Sequence, residues 1–156
     1  MGTWRSSPLV VFALSQRRYA LPLPDVERAL PMAAVAVLPD APPIVLGVLS
    51  VHGTPLPVIN LRDRLGLPPR EPRPDDHMLV VRTPRRRLVL VVDEVTGVLD
   101  VPAEQITAAA AVVPGLRQVA GIVTLPDGLV LIQDLDALLS LDEERRLGEA
   151  LQKARA

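Results

Sequence analysis

The sequence predicts an all-β protein built as two small packed β-barrels, with short helices between strands and one helix at the C-terminus. Three observations carry that prediction. Short apolar runs rich in Val, Leu and Ile recur along the chain and are separated by turn residues, the pattern of strands rather than helices. Proline and glycine contribute 17 and 9 of the 156 residues, which punctuates the chain too often for long helices. The chain also repeats itself. Gly47-Val48-Leu49 through Leu56-Pro57-Val58-Ile59-Asn60-Leu61 returns as Gly121-Ile122-Val123 through Val130-Leu131-Ile132-Gln133-Asp134-Leu135, at a constant offset of 74 residues. Leu9-Val10-Val11 returns as Leu79-Val80-Val81 at an offset of 70, and Asp25-Val26 with Leu30 as Glu94-Val95 with Leu99 at 69. Each half therefore reads as hairpin, third strand, loop, hairpin and short helix, which gives five strands per half. A half of that size buries little core alone, so the two are expected to share an apolar interface.

The elements follow in order. Residues 8–14 and 19–23 form a first hairpin across the polar Ser15-Gln16-Arg17-Arg18. A short apolar run at 35–38 is broken by Pro39-Asp40-Ala41-Pro42-Pro43. Residues 44–51 and 54–59 flank His52-Gly53, a tight turn. Pro55 and Pro57 lack a donor N–H, so the second of these strands lies at an edge or pairs through its other residues. Leu61 to Gly66 reads as a turn or two of helix stopped by glycine. Four prolines between 68 and 74 make a surface connector. Strands resume at 78–81, 88–92 and 95–101, with Pro84-Arg85-Arg86-Arg87 as the turn between the first two. Residues 119–125 and 129–133 flank Pro126-Asp127-Gly128, another hairpin signal. The tail 141–156 should be helical, with Leu147 and Leu151 on one face. The domain is thus read as 8–139, in halves 8–67 and 78–139 joined by the connector 68–76, followed by the helical tail.

Composition narrows the function. The 17 Lys+Arg and 18 Asp+Glu leave a net charge of −1, which gives no global attraction to nucleic acid or anionic lipid. Only Trp4, Phe12 and Tyr19 are aromatic, too few to stack bases or sugars. There is no cysteine, which excludes disulfides, thiolate metal sites and cysteine nucleophiles. No targeting or membrane-spanning run stands out. His52 and His77 are each isolated from a second ligand or a nucleophile motif. Asp75-Asp76 reads as solvated loop charge, and Asp93-Glu94 as a turn between strands. No glycine-rich phosphate loop occurs. No catalytic constellation, metal site or cofactor site emerges, so the expected protein is a non-enzymatic interaction module. Its apolar content exceeds what two tiny barrels readily hide, and part of it is expected as exposed partner patches.

Several runs, taken together and in order, resemble the CheW-like domain family of bacterial chemosensory systems. They are Arg18-Tyr19-Ala20-Leu21-Pro22-Leu23 with Val26, and Pro42-Pro43-Ile44-Val45-Leu46-Gly47-Val48 with Gly53. Leu56-Pro57-Val58-Ile59, Leu61-Arg62 and Leu65-Gly66-Leu67 continue the match. Val91-Val92-Asp93-Glu94-Val95 follows, then Ala103-Glu104-Gln105-Ile106, Gly121 and Leu131 to Leu139. The resemblance implies two five-stranded SH3-like barrels and an adaptor that carries out no chemistry. Its implied partners are the cytoplasmic tips of methyl-accepting chemoreceptors and the regulatory domain of a CheA-type histidine kinase, with no nucleic acid and no membrane insertion. It implies a cytoplasmic setting, at or near membrane-associated receptor arrays. A stand-alone adaptor fits the length better than a kinase or a receiver fusion.

Carried over position by position, the kinase-facing surface would involve Val26, Arg28, Val35 and Pro55, and the receptor-facing groove His52 and Met78. Two of these depart from the family's usual pattern. Where members usually read Asn-Leu-Arg-Gly, with the arginine linked to receptor coupling, this chain has Ser50-Val51-His52-Gly53. Where many read Val-Arg-Glu, it has Val26-Glu27-Arg28, which reverses a charge. The alternatives are a divergent module that keeps one of the two partners, a small-barrel ligand-binding protein, and an enzyme with an acidic site at Asp93 and Glu94.

Overall fold

A computed structural model describes residues 7–108 and 119–155; Trp4 and the last residue of the tail, Ala156, lie outside them. Among the described residues eleven strands form two sheets. The strands are β1 (Ser7–Leu14), β2 (Arg17–Pro22), β3 (Val26–Pro31), β4 (Val45–Val51), β5 (Thr54–Ile59) and β6 (His77–Arg82). The remainder are β7 (Arg87–Val92), β8 (Glu94–Val101), β9 (Ile106–Ala108), β10 (Val119–Leu125) and β11 (Gly128–Gln133). Helix α1 (Leu61–Arg64) follows β5, and α2 (Leu141–Arg155) ends the described chain.

The repeat is real in three dimensions, but the halves exchange strands. One sheet runs β8-β1-β2-β11-β10-β9 and the other β3-β6-β7-β5-β4. The N-terminal hairpin β1–β2 thus joins β8 to β11 of the second half, while β6–β7 joins β3 to β5 of the first. Each pairing has its counterpart. β1 with β8 and β6 with β3 are antiparallel, whereas β2 with β11 and β7 with β5 are parallel. The second half adds β9 beside β10, so this sheet has six strands rather than five. In the first half the same place holds a single bridge, Ala36 to Val48. Pro55 and Pro57 sit inside a sheet, not at its edge. They face β4, and β5 meets β7 only beyond them, through Val58 and Ile59.

Three apolar clusters explain the sequence pattern. Leu9, Val11, Ala20, Val123, Val130 and Ile132 fill one barrel, and Leu56, Val58, Met78, Val80 and Val89 fill the other. The largest cluster lies between the two and includes Phe12, Leu14, Tyr19, Leu21, Leu79, Val81, Leu88 and Leu90. Alternate residues of β6 point to different clusters, Met78 and Val80 into the barrel and Leu79 and Val81 into the shared layer. A strand buried on both faces has no polar side, which is why 78–81 and 88–92 are continuous apolar runs. Most of the apolar surplus is therefore buried between the barrels. Among the described large apolar side chains, only Leu23, Val37, Val98, Leu129 and Leu141 are exposed, which corrects the expectation of sizeable surface patches.

The tail packs on this shared layer. Leu147 and Ala150 belong to its buried set and Leu151 packs against it. Ser140 and Glu143 cap α2 reciprocally: Ser140 Oγ accepts from the Glu143 N–H at 3.1 Å, and Glu143 accepts from the Ser140 N–H at 2.8 Å. Ion pairs from Arg64 to Glu143 (2.5 Å) and from Arg86 to Glu144 (2.7 Å) fix the helix to both halves.

Candidate functional site

The residues singled out from the sequence all fall on the β3–β7 sheet or the loop after β3. Val26 opens β3 opposite Val81, is half-buried and packs against the layer between the barrels. Arg28 is exposed on the same strand, opposite Val80, at the edge of the sheet. Val35 is half-buried against the barrel cluster, next to the Ala36–Val48 bridge that runs beside β4. Pro55 is exposed opposite Ser50, close in sequence to the turn that carries His52. His52 is exposed in that turn with φ +50°, followed by Gly53 at +80°, a two-residue turn with both residues left-handed.

The geometry thus brings Val35, His52 and Pro55 together along the β4–β5 hairpin and sets Val26 and Arg28 on the opposite edge strand. Met78 does not belong to the surface. Its exposure is 0% and its side chain packs against Val58, Val80 and Val89 inside the barrel. The expected direct contact from Met78 is corrected: it supports the hairpin from beneath.

Sequence reasoning missed a polar centre that ties both sheets to the connector. Asp93, between β7 and β8, accepts from the Ser15 N–H at 2.9 Å, from Arg70 at 2.5 Å and from Arg62. Arg62 also donates to Ser15 Oγ at 2.6 Å. Arg70 bridges onward to Asp76 at 2.9 and 3.2 Å, and Asp76 accepts the Arg73 N–H at 2.7 Å. Asp76 is only 4% exposed, so it is a buried ion-pair partner rather than solvated loop charge. The four segments meeting here are the β1–β2 turn, α1, the proline-rich connector and the β7–β8 junction.

Burial works against the charge of Asp93. The hydrogen bonds from Arg62, the Ser15 N–H and Arg70 outweigh it and hold the carboxyl below the ordinary range. A carboxylate held ionised by two guanidiniums is an anchor, poorly suited to act as a general base near neutral pH. Asp93→Asn is therefore expected to cost about 1–3 kcal/mol in denaturant unfolding at neutral pH, allowing for the partial exposure of Asp93. A carboxyl with a lowered folded-state pKa stabilises above its unfolded value and loses that contribution as pH falls through the folded one. The wild-type advantage over Asp93→Asn should accordingly be full above about pH 5 and shrink below about pH 4. An equal gap at pH 7 and pH 2 would show that the charge is not what stabilises.

Comparison with known proteins adds to this geometry. A model of the CheW-like domain matches residues 8–143. The chain is 30% identical over 138 residues to the probable chemotaxis protein CheW of Rhizobium etli, covering 86% of this chain and 88% of that protein. It is 26% identical over 136 residues to the chemotaxis protein CheW of Klebsiella aerogenes, covering 86% and 82%. Among solved structures it superposes on the scaffolding protein TtCheW of Thermoanaerobacter tengcongensis with a TM-score of 0.80 at 25% identity, over 88% of this chain and 95% of that one.

Proposed function

The chain belongs to the CheW-like domain family, and we propose that it serves as a non-enzymatic coupling scaffold in bacterial chemotaxis, joining receptor tips to a CheA-type histidine kinase. The observation that carries the reading is the near full-length match, in sequence and in the two-barrel fold, to chemotaxis proteins and a scaffolding protein. The architecture supports it. Two barrels fused through a buried layer make a stiff body, and rigid elements hold partner surfaces at fixed separation better than a flexible tether does. No helix among the described residues is long and apolar enough to cross a membrane. On the family reading, the partners are taken to be the cytoplasmic parts of the receptor and the kinase.

Two surfaces are assigned. The β3 edge, with Val26 and Arg28, faces the kinase regulatory domain. Val35 and Pro55, beside the β4–β5 hairpin, are assigned to the kinase as well, and His52 at the tip of that hairpin is assigned to the receptor. Imidazole offers one point contact, whereas a guanidinium offers a planar fork. His52→Arg is expected to tighten receptor binding about threefold to tenfold while leaving kinase binding unchanged. The measurement is titration of the full chain with the host's receptor cytoplasmic fragments and kinase regulatory domain. Absence of binding to both would overturn the coupling role. Loss of receptor binding on His52→Arg would show that the histidine itself makes the contact.

A further inference from the structure

Strand β3 is an edge strand. It pairs with β6 on one side, and the sheet order leaves its other side free of a strand among the described residues. Its two charged residues have unequal fates. Glu27 accepts from Arg87 at 3.0 Å and 2.5 Å and from Arg82 at 3.2 Å. The hydrogen bond from Arg87, against some burial and with help from Arg82, holds its carboxyl below the usual range. This one carboxylate is thus shared by two guanidiniums, and Arg82 remains 67% exposed. The next residue, Arg28, is exposed and appears in no ion pair or side-chain hydrogen bond of the described residues. The ladder shows why the two residues are treated differently. The register shifts between Val26 and Arg28, so Glu27 falls in the irregularity where it meets the ends of β6 and β7. The edge strand therefore presents Arg28 unpaired among the described residues, while behind it Arg82 on β6 and half-buried Arg87 on β7 share the Glu27 carboxylate, and Asp25 precedes the strand.

We propose that this edge is a basic docking strip whose partner is an acidic protein surface presented along an extended strand. On the reading given above, that surface belongs to the kinase regulatory domain, so the inference rests on that reading and adds the charge of the partner. Free backbone groups on an edge strand suit an added strand, and the side chains beside it then set which strand is accepted. An acidic strand gains Arg28 as a counter-charge, while a basic one meets an unpaired guanidinium backed by two that share one carboxylate. Arg28 is thereby a specificity-determining residue. It separates this chain's partner from a regulatory domain whose matching surface is basic.

The test is titration of the full chain with the regulatory domain of its host's CheA-type kinase, using wild type, Arg28→Lys, Arg28→Ala and Arg28→Glu at low and high salt. Arg28 is exposed, so all four should melt alike, and melting is measured first. Expected is a Kd within about twofold of wild type for Arg28→Lys, about threefold to fivefold weaker for Arg28→Ala, and at least about tenfold weaker for Arg28→Glu. Wild-type binding should weaken with added salt, and that of Arg28→Glu should weaken less. Undiminished binding by Arg28→Glu would overturn the inference while leaving the coupling role standing. Failure of the wild type to bind would overturn the coupling role and this inference with it. Phosphatidylserine vesicles serve as the competing surface. If they sediment wild type but not Arg28→Glu, and kinase binding is indifferent to Arg28, the strip is a lipid contact and the proposal fails.

Discussion

Phe12→Ala is expected to cost about 3–5 kcal/mol, a large share of a total stability of about 5–15 kcal/mol. Phe12 has 0% exposure in the layer between the barrels, where it stacks on Tyr19 across the β1–β2 ladder with ring centroids 6.0 Å apart. It stands at a register irregularity of β1 against β8, between Val11 and Phe12. Val11 points into its own barrel, whereas Phe12 points at the other one. Its removal leaves a cavity bordered by side chains from both sheets and from the helices, which cannot close by moving one element. Thermal melting should show a fall in Tm of roughly 10 °C or more for a chain of this size. Val98→Ala, at a 61% exposed position on β8, is the control, and should cost under about 0.5 kcal/mol. If Phe12→Ala were as mild as the control, the shared layer would not be the principal core, and each barrel would have to be stable by itself.

This layer also marks where sequence reading stops. The strands at 8–14, 78–81 and 88–92 were legible because local composition and punctuation define them. Their continuous apolar character carries the further signal of burial on two faces. The exchange of hairpins between halves was not legible, since offsets of 69 to 74 residues show that two halves are alike but not which hairpin pairs with which third strand. Residues 106–108 are too few for a periodic signal, and β9 is recognised only because β10 lies beside it. The polar centre around Asp93 was hidden for a similar reason. Arg62 and Ser15 lie 31 and 78 residues from it, so each reads locally as ordinary turn or helix chemistry. Exposure, rather than partner contact, was legible where it follows from charge. Arg28 and His52 are exposed, whereas apolar Met78 is buried in the barrel.

Gly47→Ala should be the most damaging change close to the assigned contact surface. A Cβ at this position would lie 2.1 Å from the carbonyl oxygen of Ala36 and 2.6 Å from a methyl of Val35. The backbone here also has φ +153°. The near atom is main chain and cannot rotate away. Ala36 is held in turn by reciprocal hydrogen bonds with Val48, at 2.9 and 2.8 Å. Relief requires pushing the segment at 35–36 off β4, which breaks both bonds and lifts Val35 from the barrel cluster. The expected cost is about 2–4 kcal/mol, with faster hydrogen exchange at the Ala36 and Val48 amides. Gly53→Ala provides the discriminating comparison. Gly53 sits at φ +80° with nothing within 4 Å of an added Cβ, so it meets backbone strain alone, worth about 1–2 kcal/mol. If close approach of chains is what demands glycine at 47, Gly47→Ala must be the more costly of the two and must loosen Ala36 and Val48 selectively. An equal cost, or unchanged exchange at those amides, would mean that the bridge beside β4 is dispensable. The hairpin that carries His52 and Pro55 would then be positioned by β5 and the barrel interior alone.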